Sequence, residues 1–259
     1  MRIGVFGGTF DPVHESHIQM GLDALEQCHL DKVFFVPTRP WQKTARASEE
    51  DRAAMLSMAL SPHQNKLIVD RRELERTGAS YSIDTLYSFR QEFGPETPIY
   101  FIMGSDQWKN LKTWVLWEKF PLLCNLLIYT RDGEFSDDPY EGKFPIIPVQ
   151  DLGSHPAPNG LIVLARSEPA PYSSTAIRTA LFEEPSRSQT IPGLTADVHQ
   201  YILFHGLYLP REGGKGILIP LRFAADFDRP TYSSVIKVIS DGTPTRIVKP
   251  FHSPDPFVT

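Results

Sequence analysis

Short apolar runs alternate with helical stripes along the first 209 residues, and this alternation predicts the fold class. Strands are predicted at 2–6, 32–37, 66–70, 98–103, 124–129 and 161–164. Helices are predicted at 13–28, 49–60, 82–93, 114–120, 174–181 and 197–204. The strands are apolar on both faces, which is typical of a parallel sheet covered by helices on both sides. We therefore expect a doubly wound α/β fold whose ligands bind beyond the carboxyl ends of the strands.

The pattern changes after Pro210. Residues 211–216 are rich in glycine and charge, which is typical of a linker. Between residues 217 and 248, short alternating runs such as 233–239 and 246–248 predict two or three strands. We therefore divide the chain into a main domain at 1–209 and a small β-rich C-terminal appendage at 210–259, whose role the sequence does not indicate.

Composition places the chain among ordinary globular proteins. Of its 259 residues, 41% are hydrophobic and 22% are charged, with a formal net charge of −5. Mild acidity gives no general attraction to nucleic acid or to anionic membranes. No stretch approaches the roughly 18 apolar residues of a membrane helix, and the apolar start is too short and too glycine-broken for a signal peptide. We expect a cytoplasmic protein whose two cysteines, Cys28 and Cys124, are buried reduced thiols.

The first predicted strand leads into the sequence GGTFDPVHESH, residues 7–17. Glycines after a buried strand let the backbone approach a ligand and expose its N–H groups. The helix that follows points its N-terminus, which favours anions, at the same space. His14 and His17 share one face of the first helical turn, and two imidazoles there can donate hydrogen bonds to phosphate oxygens. An isolated His pair could be a surface feature or half of a metal site, but the Gly-Gly exit favours phosphate binding.

Two common phosphate-binding motifs are absent from the sequence. The dinucleotide pattern GxGxxG does not occur, which argues against an ordinary dinucleotide dehydrogenase. The pattern GxxxxGK followed by Ser or Thr does not occur either, which argues against a kinase or GTPase loop.

A second candidate anion site, residues 172–178 with the sequence YSSTAIR, lies late in the main domain. Ser and Thr favour a helix start, where hydroxyl and amide groups can donate to an anion. Arg178 lies one turn further along and can reach back to that anion. Taken alone, the segment is more typical of a plain helix cap with a solvated Arg.

Together, the two motifs resemble those of the bacterial nicotinate-nucleotide adenylyltransferases, within the nucleotidyltransferase superfamily. That family carries GGTFDPxHxGH near its start and SSTxIR late in the domain. Further segments are similar and follow in the expected order: Pro37-Thr38 with Lys43, 52–56, 78–86, 101–106, Thr113-Trp114 and 201–208. The resemblance covers roughly residues 1–209 and implies a Rossmann-like nucleotidyltransferase fold.

The resemblance also implies a reaction, in which the 5′-phosphate of nicotinate mononucleotide attacks the α-phosphorus of ATP and pyrophosphate leaves. Mg²⁺ bound with ATP is the implied cofactor, and no metal site of the protein's own is expected. Catalytic roles are implied for His14, His17, Lys43 and Arg178. The implied ATP contacts are Gly7, Gly8, Thr9, Phe10, Gly104, Asp106, Ser173, Ser174 and Thr175. Such chemistry needs positioning and charge stabilisation rather than a nucleophilic side chain.

On the acceptor side, the resemblance implies that Tyr81, Thr85 and Trp114 bind the mononucleotide. Trp114 would stack on the pyridine ring, and Thr85 with nearby backbone amides would meet the carboxylate. A carboxylate needs only donors, whereas a carboxamide also needs an acceptor, so the hydroxyls and amides of 78–85 favour the acid. Core packing for Trp114 and a plain helical position for Thr85 are the alternatives.

Two places depart from the family pattern. Ser16 stands where a Gly is usual before the second His, and a side chain there can crowd the approach to ATP. The loop at 39–43 has the sequence RPWQK where the family often has a Pro-Pro-His-Lys run.

Other functions stay open at this point. A sibling transferase would act on nicotinamide mononucleotide or on phosphopantetheine, although 81–85 and Trp114 favour a pyridine mononucleotide. A nucleotide-binding regulator without catalysis would not need to keep the full phosphate-handling set. Nucleic-acid binding through the tail is disfavoured by the net acidity and the lack of a basic-aromatic stripe. A homo-oligomer is also open.

Overall fold

Seven parallel strands form the sheet on which the candidate site is built. Their bounds are β1 (Ile3–Gly8), β2 (Lys32–Pro37), β3 (Leu67–Val69), β4 (Ile99–Gly104), β5 (Asn125–Tyr129), β6 (Ile146–Pro148) and β7 (Ile162–Leu164). They lie in the order β3-β2-β1-β4-β5-β7-β6, and every pairing is parallel. The predicted parallel α/β sheet is therefore confirmed.

The computed structural model describes residues 1–39, 45–130, 135, 138–153, 157–166, 169–183, 191–209, 234–238 and 244–248. The helices are α1 (Glu15–Gln27), α2 (Glu49–Leu60), α3 (Arg72–Glu75), α4 (Ser82–Phe93), α5 (Ser105–Lys109), α6 (Phe120–Leu123), α7 (Ser174–Glu183) and α8 (Ala196–His205). Within these described stretches, no helix combines the length and the apolar character that crossing a membrane requires.

Local sequence explains where several helices begin and end. The side chain of Ser48 accepts a hydrogen bond from the Asp51 N–H and caps the start of α2, and Thr195 does the same for α8. Gly206 follows α8 in a left-handed conformation, with φ of 64°, which glycine adopts without steric cost. These caps satisfy N–H and C=O groups that a helix leaves open at its ends.

Two apolar clusters cover the two faces of the sheet. Alternate residues of each strand point to opposite faces, so Phe6 and Phe35 pack with α1, α2, α7 and α8, whereas Val5 and Phe101 pack with α4 and α6. Helix α1 approaches the sheet closely because of Gly21, where a Cβ would lie 2.7 Å from the Phe35 ring. The fold is therefore doubly wound, with both faces of the sheet buried.

The strand order reverses at the centre of the sheet, and this reversal positions the site. From β1 the chain runs outward to β2 and β3, while β4 lies on the other side of β1 and continues outward to β5. The segments that leave the carboxyl ends of β1 and β4 therefore diverge and leave a crevice between them. β1 ends on the Gly-Gly pair of the first motif and β4 ends at Gly104, so the segments that follow these two strands open into this crevice.

The structure differs from the sequence-based prediction in three places. The first strand does not stop before Gly7, because Gly8 still pairs with Pro37 of β2. The predicted helix at 114–120 is wrong: 3₁₀ turns at Leu111–Thr113 and Trp117–Lys119 precede α6. Leu116 has φ of 52°, outside the helical region, and Pro121 favours the first turn of a new helix. Strand β6 and the short helices α3 and α5 lack a strong period and were not predicted.

Two further strands lie in the C-terminal extension. β8 (Ser234–Val238) and β9 (Pro244–Val248) pair antiparallel as a ribbon. The rest of 210–259 lies outside the described residues, so the division into a main domain and a β-rich appendage stays a prediction.

Removing residues 210–259 should leave the main domain folded, because all seven strands of the large sheet and α1–α8 lie within 1–209. Tyr208 must be kept, since its hydroxyl donates to the Asp11 carboxylate at 2.7 Å. We expect a chain ending at residue 209 to keep its Tm, and one ending at residue 207 to lose about 3 to 12 °C. Thermal unfolding of the two truncated chains measures this. Equal Tm values for both, or an unfolded 1–209, would contradict the prediction.

Candidate active site

The turn after β1 is shaped by a buried aromatic ring. Phe10 has φ of 47° and is 2% exposed. A Cβ on Gly8 would lie 2.9 Å from the Phe10 ring, so this position requires glycine. The Phe10 ring packs edge-on against His17, with ring centroids 5.0 Å apart, and also contacts Phe6 and Phe35. The predicted ATP contact of Phe10 is thereby limited to its backbone, because the side chain belongs to the core.

The two histidines stack on each other at the start of α1. Their ring centroids are 3.7 Å apart and the rings are inclined by 28°. The backbone N–H of His14 donates to Nδ1 of His17 at 3.2 Å. Burial, and then the nearby His14, hold the pKa of His17 well below its ordinary value. A neutral ring whose Nδ1 accepts carries its hydrogen on Nε2, so His17 offers one neutral N–H donor at physiological pH.

Asp11 joins three distant parts of the chain. It is 5% exposed, and its carboxylate accepts from the backbone N–H of Arg46 at 2.7 Å and of Ala47 at 3.0 Å. The Tyr208 hydroxyl donates to the same carboxylate at 2.7 Å. Burial and this bond raise the pKa of Tyr208, which keeps the phenol protonated as a donor. The β1–α1 turn is thus tied to the entry of α2 and to the segment after α8.

The second motif packs directly on the first. Ser174 donates from its hydroxyl to the Pro12 carbonyl at 2.9 Å, and Arg178 donates to the Asp11 carbonyl at 2.6 Å and to the Thr175 hydroxyl at 3.1 Å. The Ser173 hydroxyl accepts from the Ala176 N–H and caps α7. The structure therefore brings the two predicted anion motifs together, with the N-termini of α1 and α7 at one place.

A buried arginine supports the same turn from α2. Arg52 is 1% exposed, and its guanidinium donates to the Thr9 carbonyl at 2.6 Å. Burial lowers the pKa of Arg52, while the negative charges of Asp11 and Glu49 oppose that shift. A buried cation needs such partners, so Arg52 and the acidic groups around it stabilise one conformation of the Thr9–Asp11 backbone.

Across the crevice, the end of β4 leaves room for a ligand. Nothing lies within 4 Å of a Cβ built on Gly104. The Gly104 N–H donates to the Gln107 side chain at 3.1 Å, which fixes the start of α5. Asp106, in the first turn of α5, is exposed. This arrangement is open enough for the adenosine side predicted there, and the roles of Gly104 and Asp106 stay predictions.

The loop that carries Lys43 is held at both ends. Lys43 itself lies outside the described residues. On one side, Arg39 forms a bidentate ion pair with Glu49 at 2.7 and 3.1 Å and donates to the Leu74 carbonyl at 2.9 Å. On the other side, Arg46 and Ala47 are bound to Asp11. The ends of the loop are therefore set by the candidate site and by the segment before α4.

The acceptor residues differ in how open they are. Thr85 is 1% exposed, and its hydroxyl bonds to Glu73 and Arg76. Tyr81 is half-buried and lies at the N-cap of α4. Trp114 is half-buried and meets Phe101 and Phe120 edge to face, with ring centroids 6.2 and 6.0 Å away. One side of the Trp114 ring thus packs on the core. The Thr85 hydroxyl already forms hydrogen bonds with Glu73 and Arg76.

Several residues that shape the site were not assigned a role from the sequence: Asp11, Arg39, Arg52, Glu73, Arg76 and Tyr208. A signal existed for Arg52, because it heads the apolar stripe of α2 and a charge in such a stripe needs a buried partner. Asp11 lies inside the first motif, but an Asp before a Pro is also typical of a plain turn, so its buried bonds leave no separate signal. Tyr208 contacts a residue 197 positions away, whereas Arg39, Glu73 and Arg76 bond to side chains 4 to 12 positions away that share no helix or strand with them, so no periodic pattern indicates the contact.

The lowered pKa of His17 predicts how the free energy of unfolding depends on pH. Below about pH 6.5 the unfolded chain takes up a proton on this ring that the folded chain does not, so the free energy of unfolding falls as the pH falls. A His17→Gln variant lacks this group. Between pH 7.5 and 5.5 we expect the wild type to lose more of its free energy of unfolding than the variant, by at most about 1.4 kcal/mol. Urea unfolding at the two pH values measures the difference, and identical pH dependence would contradict the neutral buried ring.

Comparison with known proteins agrees with this geometry. Residues 5–180 match the family model described as cytidylyltransferase-like. A probable nicotinate-nucleotide adenylyltransferase of Pseudomonas fluorescens is 35% identical over 211 residues, which are 80% of this chain and 97% of that protein. One from Aeromonas hydrophila is 34% identical over 215 residues, again 80% and 97%.

A solved structure shows the same fold. The Plasmodium falciparum nicotinic acid mononucleotide adenylyltransferase, complexed with NaAD, aligns with a TM-score of 0.56 and 21% identity, over 80% of this chain and 97% of that one. With the two phosphate motifs packed together at the end of β1 and with relatives of this identity and coverage, the chain belongs to the nicotinate-nucleotide adenylyltransferase family.

Proposed function

We propose that this protein transfers AMP from ATP to nicotinate mononucleotide, giving nicotinate adenine dinucleotide and pyrophosphate in NAD biosynthesis. The observation that carries the proposal is the packing of the two anion motifs on each other, through Arg178 to Asp11 and Ser174 to Pro12. It places two helix N-termini, the stacked imidazoles and a guanidinium around one space at the end of β1. That combination favours a polyphosphate over a single small anion.

The reaction is a direct in-line displacement. A 5′-phosphate oxygen of the mononucleotide forms a bond to the α-phosphorus of ATP, and the bond from that phosphorus to the bridging oxygen breaks. Negative charge develops on the departing pyrophosphate. The Nε2–H of His17 and backbone N–H groups of the β1–α1 turn stabilise that charge, and because they are fixed by buried contacts, little reorganisation is needed.

The start of α7 holds the outer phosphates. Thr175 is exposed there, and each described contact of Arg178 uses only one of its N–H groups, so others remain for phosphate oxygens. Ser173 and Ser174 use their hydroxyls to fix α7, so we assign their ligand contacts to backbone N–H groups. Lys43, on the loop held between Arg39 and Arg46, supplies a further positive charge.

Mg²⁺ reaches the site on the phosphates of ATP. In the part of the chain that the structure describes, no group of three His, Cys, Asp or Glu side chains could hold a metal ion. Mg²⁺ keeps several of its waters and commonly binds through substrate phosphates, where it neutralises their charge. Gly104 and Asp106 then line the adenosine side, and the reaction takes place in the cytoplasm, where we place the protein.

The acceptor lies between α4 and the turn that carries Trp114. Trp114 stacks on the pyridine ring with the side that Phe101 and Phe120 leave open. Tyr81 and Thr85 belong to the start of α4, where N–H groups point out of the helix and favour an anionic carboxylate.

The direct test is pyrophosphate release from Mg-ATP with three acceptors. Nicotinate mononucleotide should be used in strong preference to nicotinamide mononucleotide and to phosphopantetheine. Preference for another acceptor would keep the mechanism and overturn the assigned substrate. No turnover with any of them, in a folded protein that binds ATP, would overturn the proposal in favour of a nucleotide-binding regulator.

Loss of the His17 donor should mainly slow the chemical step. We expect His17→Ala to lower kcat at least about a hundredfold, in line with the loss of one preorganised donor to developing charge. His63→Ala, which removes an imidazole outside the site, should keep kcat within about twofold. Steady-state pyrophosphate release measures both. Near-normal turnover of His17→Ala would remove His17 from the mechanism.

Two tryptophans allow a matched test of the acceptor side. Trp114→Ala should raise KM for the mononucleotide about fivefold or more through lost stacking, with KM for ATP little changed. Trp117 is also half-buried, but its ring packs on Tyr140, with centroids 5.2 Å apart. Trp117→Ala should therefore change neither KM selectively. A selective rise in KM for ATP in Trp114→Ala would place the acceptor elsewhere.

A further inference from the structure

A buried polar group lies beneath the start of α4. Glu73, on α3, is 3% exposed, and Thr85, in the first turn of α4, is 1% exposed. The Thr85 hydroxyl donates to the Glu73 carboxylate at 2.5 Å. Arg76 donates from one guanidinium nitrogen to the Thr85 hydroxyl at 3.0 Å and to the Ser80 hydroxyl at 2.6 Å. The Thr85 hydroxyl therefore lies between a carboxylate that accepts its hydrogen bond and a guanidinium that donates one to it.

These partners fix the direction of the Thr85 hydrogen bond. A guanidinium can only donate, and an ionised carboxylate can only accept. The hydroxyl hydrogen therefore points to Glu73, and Arg76 occupies one of the oxygen lone pairs. The short separation is typical of a charge-assisted hydroxyl–carboxylate bond. In this arrangement Thr85 has no hydrogen left to donate to a ligand, and can offer only its remaining lone pair.

The direction of the Thr85 hydrogen bond determines which substituent of the pyridine ring, carboxylate or carboxamide, Thr85 can bind. A carboxylate only accepts hydrogen bonds, whereas a carboxamide both donates and accepts. A Thr85 hydroxyl that only accepts can bond to a carboxamide NH₂ and not to a carboxylate. The donors left for a carboxylate are the N–H groups of Ser82 and Ile83, which have no partner within the described stretches.

The charges of the group act in opposite directions on an anionic ligand. Glu73 repels a carboxylate bound beside Thr85, and Arg76 attracts it. Burial raises the pKa of Glu73, while the hydrogen bond from Thr85 and then the charge of Arg76 oppose that shift. Removing either one alone would leave the other charge uncompensated next to Thr85.

We propose that Glu73 and Arg76 are positioning residues that set the acid-versus-amide preference of the acceptor site through Thr85. The proposal rests on the proposed function, in which Thr85 lies beside the substituent of the pyridine ring. Glu73 weakens the preference for the acid, because it accepts the hydrogen of the Thr85 hydroxyl and adds a negative charge. Arg76 strengthens the preference for the acid, because it adds a positive charge and bonds to side chains at and before the start of α4.

Two substitutions test this with opposite signs. In Glu73→Gln, the side-chain NH₂ can donate to Thr85, so the hydroxyl hydrogen can turn to the ligand and the negative charge is gone. Arg76→Gln removes the positive charge. The measured quantity is the ratio of kcat/KM for nicotinate mononucleotide to kcat/KM for nicotinamide mononucleotide, at saturating Mg-ATP. If amide turnover is too slow, its Ki against the acid replaces its kcat/KM.

We expect Glu73→Gln to raise the ratio by about threefold or more, and Arg76→Gln to lower it by a similar factor. Glu75→Gln is the matched control, because it removes the same charge from the exposed side of α3 and should leave the ratio unchanged. The ratio is insensitive to loss of folded protein, since both acceptors are assayed on the same sample. If Glu73→Gln does not fold, Arg76→Gln alone tests the inference, because its kcat/KM ratio is expected to fall.

Unchanged ratios in both variants, with equal losses for the two acceptors, would reduce Glu73 and Arg76 to structural support and overturn the inference. Shifts of the same sign in both would overturn it as well. A wild-type protein that converts neither mononucleotide would instead overturn the proposed function, and this inference with it.

Discussion

The buried carboxylate of Asp11 is the interaction on which the geometry of the site depends. It accepts hydrogen bonds from Arg46, Ala47 and Tyr208, while its own backbone carbonyl accepts from Arg178. A buried charge is costly unless it is paired and bonded, so these donors cannot be removed without a penalty. One side chain thereby sets the turn after β1, the end of the Lys43 loop and the segment after α8 relative to one another.

For the proposed function, the consequence is that the groups assigned to phosphate binding are held in place before a ligand binds. Phe10 lies under His17, Arg52 holds the Thr9 carbonyl, and α7 is tied to the turn through Ser174. Donors held in this way stabilise developing charge without reorganising, which is the larger part of what phosphoryl-group chemistry needs from a protein. The net charge of −5 does not oppose this, because two guanidinium groups, those of Arg52 and Arg178, bond to the backbone of this turn.

Much of the fold could be predicted from the sequence, because a doubly buried parallel sheet requires apolar runs that are visible in any single chain. Both motif segments could be recognised at helix starts as well, since glycine, Ser/Thr and Arg each have local reasons to stand there; their binding of anions stays a prediction. The bond between Tyr208 and Asp11 could not, because its partners are separated by most of the domain and each is unremarkable locally. The core packing of the Phe10 side chain could not be predicted either, because Phe10 lies inside a predicted ligand motif. The predicted helix at 114–120 failed because apolar spacing does not report the left-handed conformation of Leu116.

The central claim is that this tied turn presents the Nε2–H of His17 to the triphosphate. Nitrogen NMR of the histidine side chains, recorded with and without a non-hydrolysable ATP analogue and Mg²⁺, tests it most directly. We expect a neutral His17 ring protonated on Nε2 in the free protein, and a large shift of that Nε2–H signal when the analogue binds. Signals from His17 that stay unmoved while the analogue binds, or a ring protonated on Nδ1, would contradict it.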